Sequence, residues 1–420
     1  MGNKSLATAH HDRQTGGMLS RGLLLPSVAI CAFASAPRAH ALGIRILQQD
    51  SEATARGEAF TATADRPSAI YYNPAGITQL EGDHLQLGTY SIITKPTYRS
   101  PLTGEVADMR DRLQSAAQIY YTHPLAAGRA AIGLGIYSPY GLGSEWSDDS
   151  PFRSFATKTQ LQYVCINPVV AIRVADGLTV AAGLTVNYGH ADLRRGILVS
   201  GDEFRIDAEG WSLGYTAGLL WQPAPRHSFG VTYRSASSMT FHGDAFVKSQ
   251  IALPFGNERT RFDFDFPQHV MFGYSFRPSQ DWNLEFDADW TDWRDVGTVR
   301  FQLASGDLLQ TFNWRSAWTY KFGVTRKFAN GVAVSAGYLY GKSATPDSHF
   351  NPAIPDIDLH VFSLGMTYRT ERWDLGATFN LGYGPTTQVS GSQRSATGQS
   401  ADGEYGFMGY GLSLMAGYRF

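Results

Sequence analysis

Long apolar runs are missing from this sequence. Past the N-terminus no stretch approaches the ~20 apolar residues that a helix needs to cross a bilayer, so a bundle of membrane-spanning helices is excluded. Cysteine is almost missing too, with two in 420 residues. Cys31 falls inside an N-terminal apolar stretch, where Ile30 departs from the small residue a lipoprotein site requires. That leaves Cys165 alone in the rest of the chain, with no partner for an internal disulfide or a thiolate metal cluster. Excess charge of one sign is missing: the formal net charge is -2, which excludes the basic footprint of a nucleic-acid binder. Catalytic constellations are missing as well. There is no Gly-x-Ser-x-Gly elbow and no His-Glu-x-x-His helix among the eleven histidines. No enzyme, metal or cofactor is therefore expected.

Present instead are 13% aromatics and 44 glycines, with 43% hydrophobic residues overall. The first 41 residues read as an export signal. Arg21 supplies positive charge, Leu23 to Ala36 form a short apolar core broken by Pro26, and Ala39-His40-Ala41 is a small-x-small cleavage site. The polar segment before Met18 makes Met18 a candidate start.

From about residue 84 onward the dominant period is two. Leu178, Val180, Ala182, Leu184, Val186 and Tyr188 alternate with Thr179, Ala181, Gly183, Thr185, Asn187 and Gly189. Trp373 to Gly382 repeats the pattern. Trp282, Leu284, Phe286, Ala288 and Trp290 alternate with Asn283, Glu285, Asp287, Asp289 and Thr291. A strand with one fatty face and one acidic face needs two different solvents, so a lipid-facing exterior around a polar lumen fits better than a soluble sandwich. Candidate strands number about fourteen, an even count. Short connections near His123–Arg129, Ala175–Gly177, Gln222–Arg226, Arg277–Asp281, Phe328–Gly331 and Arg369–Arg372 alternate with long ones. The pattern predicts an all-β transmembrane antiparallel barrel over residues 83–420 in a bacterial outer membrane, with lipid and lipopolysaccharide as neighbours. Met408, Tyr410, Leu412, Leu414, Ala416, Tyr418 and Phe420 form a final stripe. Such a terminal aromatic resembles the signal read by the barrel assembly machinery. Tyr120, Tyr121, Trp290, Trp293 and Trp318 are expected in interfacial girdles.

Residues 42–82 lack the strand pattern and show short helical periodicity around Ser51–Ala59. They read either as a plug inside the barrel or as a periplasmic extension. Two long loops are unusually apolar. One carries Ile197, Leu198, Val199 and Phe204, the other Phe246, Val247, Ile251, Leu253 and Phe255. Exposed apolar patches often mark binding, though such residues could equally pack together to close the barrel mouth.

At Tyr71-Tyr72-Asn73-Pro74-Ala75-Gly76 the chain resembles the FadL family of outer-membrane long-chain fatty-acid and hydrocarbon transporters. Ser138-Pro139-Tyr140-Gly141-Leu142 with Trp146, Phe266-Pro267-Gln268-His269 with Trp290-Thr291-Asp292-Trp293, and Phe322-Gly323-Val324 through Phe362-Ser363-Leu364-Gly365 agree in order. The resemblance implies a fourteen-stranded barrel plugged by an N-terminal hatch carrying Asn73, Pro74, Ala75 and Gly76. It implies transport of long-chain fatty acids or other hydrophobic compounds by a monomer. Ligand would be captured on extracellular loops, pass to a lumen pocket, and leave sideways at a kinked third strand, where Gly133, Gly135 and Pro139 are candidates. Alternation places Arg315 and Lys321 inward, where a cation could hold a carboxylate or pair with Glu285 and Asp287. A general diffusion porin and a lipase-like barrel enzyme are the alternatives.

Overall fold

The computed structural model describes Gly2 and residues 42–111, 113–251, 256–395 and 397–420. The export signal, and Leu253 and Phe255 of the second apolar loop, lie outside the described residues. Fourteen antiparallel strands form the barrel wall. In chain order they are β1 (His84–Arg99), β2 (Leu113–Leu125), β3 (Ala130–Tyr137, then Gly141–Glu145), β4 (Lys158–Ala175), β5 (Leu178–Arg195), β6 (Glu203–Ala224) and β7 (His227–Arg234, then Ser237–Lys248). There follow β8 (Glu258–Phe266 and His269–Ser279), β9 (Trp282–Thr291, then Thr298–Leu303), β10 (Leu308–Thr311, then Ala317–Lys327), β11 (Val332–Gly341), β12 (Leu359–Arg369), β13 (Trp373–Val389) and β14 (Gly403–Arg419). Each pairs with its sequence neighbour, and β14 closes the ring on β1 from His84↔Arg419 to Arg99↔Glu404. Joining the last strand to the first closes the sheet on itself, as a sheet in lipid requires.

Alternation sets which side chain meets which solvent. Leu284 and Phe286 are exposed outward while Glu285, Asp287 and Asp289 are buried inward. Tyr410, Leu412 and Leu414 of the final stripe face outward, and Phe420 is exposed at its end. Trp318 faces outward as a girdle residue, but Tyr120 and Trp293 do not. Tyr120 has inward parity and donates to Gln49 O at 3.1 Å. Trp293 sits in a one-turn 3-10 helix, where strand parity no longer applies.

The alternation also inverts partway up the wall. In β6, Trp211, Leu213 and Tyr215 face out against Ser212 and Thr216 facing in. Above Gly210 the same outward face carries Arg205, Asp207 and Glu209, and the inward face carries Phe204, Ile206 and Ala208. In β8, Phe262, Phe264 and Phe266 face in while Arg261, Asp263 and Asp265 face out. Below the inversion the wall is fatty outside, as lipid demands. Above it the wall is charged outside and fatty inside, so this part stands in water and encloses an apolar space.

Several loops are shorter than the sequence suggested, because the strands continue above the membrane. Phe246 and Val247 belong to β7 and Phe204 to β6.

Candidate functional site: an enclosed segment, an apolar cavity and a break in the wall

Residues 42–80 lie against the inward faces of strands around the ring and are almost wholly buried. A short helix, α1 (Ser51–Ala55), is capped by Asp50, whose carboxylate accepts from Ala53 N at 2.9 Å and from Gln86 Nε2 of β1 at 2.7 Å. The acidic face of β9 grips the chain beyond it. Asp287 accepts from Phe60 N and Thr61 N, both at 3.0 Å. Glu285 accepts from Ala62 N at 2.7 Å and from Arg56 Nη2 at 2.8 Å. Asp289 takes both Arg45 nitrogens, at 2.9 and 3.1 Å, together with Lys321 Nζ at 2.8 Å. The inward carboxylates thus satisfy backbone donors and cations that burial would otherwise leave unpaired.

Close approach needs missing side chains. A Cβ at Gly337 would stand 2.0 Å from Arg56 C, so β11 admits the segment only as glycine.

Asn73 ends the helix α2 (Ala69–Tyr72) and caps the 3-10 turn Pro74–Gln79, accepting from Ala75 N at 3.2 Å. Its amide donates to Thr61 O and to Leu219 O of β6, both at 2.9 Å. It is therefore tied to the sixth strand. The third strand meets Ile70: a Cβ at Gly133 or Gly135 would stand 2.8 Å from that side chain. Both glycines lie in unbroken pairing, Gly133 with Thr122 and Val169 and Gly135 with Tyr120 and Asn167. They accommodate the enclosed segment and do not form the break.

The break is at Pro139. β2 and β3 stay paired only up to Ile119↔Ile136. Beyond Ser138-Pro139-Tyr140, Gly141–Glu145 continues along β4 alone. Among the described residues no pairing joins Leu113–Gln118 to Gly141–Glu145. The enclosed segment docks into the kink, with Ile46 N donating to Pro139 O and Gly141 N to Ile44 O, each at 2.9 Å.

Two cavities flank this region. One of about 150 Å³ is almost entirely apolar, walled by Phe204, Phe241, Phe262, Phe264, Phe266 and Phe301. The other, of about 680 Å³, runs from Leu42–Gln48 to Gln114–Ala117 and Gly141–Glu145 at the break. Leu142, Thr159, Leu161 and Ile354 line both.

Of the two cations expected to face the lumen, one does. Lys321 does point inward but is committed to Asp289. Arg315 lies in the irregular chain between the two halves of β10 and is exposed, since alternation cannot be carried through an interruption of the strand. Sequence reasoning missed Arg195, the last residue of β5. It lines the apolar cavity, with its guanidinium carbon 5.2 Å from the Phe204 ring centre. Among the described residues it has no carboxylate partner. Its neighbour Arg194 is occupied by Asp192 at 2.8 and 3.0 Å. The readable signal was the inverted alternation of β6 and β8, which marks the fatty interior beside it.

Of the apolar loop residues, Phe204 is buried on the cavity wall and Val247 and Ile197 pack beside that core. Leu198, Val199, Phe246 and Ile251 are exposed. Asp202 accepts from Gln250 N at 3.2 Å, which brings the two loop tips together.

Residues 32–420 match the family model described as outer membrane protein transport protein (OMPP1/FadL/TodX). The chain belongs to this family. Similar curated proteins include the long-chain fatty acid transport protein of Escherichia coli O6:H1, 24% identical over 76% of this chain and 82% of that one. Outer membrane protein P1 of Haemophilus influenzae is 21% identical over 74% and 79%. Among solved structures, a Pseudomonas aeruginosa FadL homologue superposes with a TM-score of 0.81 at 19% identity, covering 90% of this chain and 100% of that one. The Ralstonia pickettii toluene transporter TbuX gives 0.70 at 16% identity, over 88% and 98%. As a family member the chain is an outer-membrane transporter of hydrophobic compounds, not an enzyme.

Proposed function

We propose that this FadL-type chain carries long-chain fatty acids inward across the outer membrane. The supporting observation is Arg195, a cation with no carboxylate partner among the described residues, on the wall of a phenylalanine-lined cavity. A carboxylate on that guanidinium gains a charge-assisted hydrogen bond, and each buried methylene adds about 0.8 kcal/mol. The exposed tips at Leu198, Val199 and Ile251 are the first contact. Residues 42–82 act as the hatch, residues 1–41 as the export signal and residues 83–420 as the barrel. The acyl chain extends past Leu142 and Leu161 into the larger cavity and leaves sideways at the Pro139 break.

A second reading has its own observation. A largely apolar cavity of about 150 Å³ matches the size that takes one benzene ring, which favours a small aromatic hydrocarbon. Binding of oleate and of toluene to wild type and Arg195→Ala separates the two. Loss of one charge-assisted bond, about 1.5–3 kcal/mol, should weaken oleate roughly ten- to hundredfold and leave toluene unchanged. Tight toluene binding with no oleate binding in wild type would establish the second reading instead.

A further inference from the structure

Where the wall is broken, one side chain spans the gap. Gln114 lies on β2 five residues above the end of its pairing with β3 at Ile119, and its amide donates to Gly143 O on the detached upper half of β3 at 2.9 Å. The fit is steric as well as polar. A Cβ on Gly143 would stand 2.5 Å from Gln114 Oε1, so glycine at 143 makes room for the amide. Above it the gap is closed by Arg110, whose backbone N–H donates to Glu145 O at 2.9 Å and whose guanidinium meets the Glu145 carboxylate at 2.7 Å. Below it the paired ladder resumes at Ile119↔Ile136. The window between these limits has the larger cavity behind it, with Ala116 and Ala117 on one side and Gly141 and Leu142 on the other.

We propose that Gln114 is the latch of this window: its amide bond to Gly143 holds the two edges together, and its side chain swings aside as ligand passes from the cavity into the membrane. A strand edge facing lipid must have its polar groups satisfied. Backbone pairing would do this permanently, through several bonds in register. A single amide instead satisfies one edge carbonyl, Gly143 O, and ties the two edges with one neutral hydrogen bond, and rotation about its own side-chain torsions releases it without unzipping the sheet. Gln114 is thus a positioning residue that sets how fast the window opens, not how tightly the apolar cavity binds.

This rests on the lateral route proposed above, and the test keeps the two apart. The full chain is placed in lipid vesicles containing a lipid-soluble quencher and loaded with a fluorescent long-chain fatty acid. Quenching reports arrival in the bilayer, and equilibrium titration reports affinity. Gln114→Ala, and Gln114→Glu whose carboxylate cannot donate to Gly143 O, should speed transfer by up to about tenfold, the equivalent of one neutral hydrogen bond, at unchanged affinity. Ala116→Trp, which fills the window from the cavity side, should slow transfer and also leave affinity unchanged. Unaltered transfer in both Gln114 variants, with transfer blocked by Ala116→Trp, would overturn the latch and leave the lateral route standing. Normal transfer in Ala116→Trp would overturn the route and the latch with it.

Discussion

At the scale of single residues, Asn73 shows how a short motif acts. Pro74 after it fixes its own φ and keeps Asn73 extended, which frees the Asn73 amide to face outward from the turn. The amide then joins two carbonyls far apart in sequence, Thr61 and Leu219. Asn73→Ala removes both bonds and the cap on Ala75. Each buried carbonyl left without a donor costs about 1–3 kcal/mol. Hydrogen exchange of residues 61–79 should therefore quicken at least about tenfold while the strands keep their protection. Unchanged exchange in that segment would mean that the enclosed chain is held by its other contacts. The motif was legible in the sequence. Its partner was not, because nothing local points to the sixth strand in preference to the third.

At the scale of elements, β9 carries the most weight. Three inward carboxylates at a spacing of two residues meet the enclosed segment at three successive points, near Arg56, Phe60 and Arg45. The sequence showed an acidic face and implied a wet lumen. The structure puts protein there. Asp289→Asn should be the costlier change, since it leaves Arg45 and Lys321 buried beside a neutral group, a loss of about 3–5 kcal/mol. Asp287→Asn keeps an acceptor oxygen for Phe60 N and Thr61 N and should cost about 1 kcal/mol. Urea unfolding of the refolded barrel in lipid vesicles would measure both, and equal losses would contradict the assignment. The third strand carries a related lesson. Bulky residues at Gly133 or Gly135 strike Ile70, so they would report on packing of the enclosed segment. Ala116 is the position that tests the proposed exit.

At the scale of the whole molecule, two fillings stand in series between the loops and the lower rim. Residues 42–80 occupy the space inside the wall. Above them lies a second apolar cluster, with Trp146, Phe152, Phe350 and Tyr405 drawn from separate loops and strand ends. Trp146 Nε1 binds Pro352 O at 2.9 Å across two of those loops. A general diffusion porin needs a continuous water column, and both fillings oppose one. Planar-bilayer recordings of wild type should therefore show no large steady conductance, whereas deletion of residues 42–80 should produce one. A large steady conductance in wild type would return the porin reading.

The sequence by itself determined the barrel, because lipid imposes one rule on every strand. Outward residues must be apolar at every second position, and that rule is local, so Leu284-Glu285-Phe286-Asp287 states it without help. It offered Pro139 only as one candidate for a kink beside Gly133 and Gly135, since proline cannot donate to a ladder yet Pro96, Pro124 and Pro168 all sit within paired strands. Only the tertiary structure decided which cation is unpaired. Lys321 and Arg195 are both inward-facing basic residues of the wall, and what separates them is whether a carboxylate distant in sequence lies within reach. Asp289 meets Lys321 across neighbouring strands, and no carboxylate among the described residues meets Arg195. The inverted alternation of Phe204, Ile206 and Ala208 against Arg205, Asp207 and Glu209 was written in the sequence. Its meaning waited on the closed ring, because a period of two tells which residues share a face and not which face is inside.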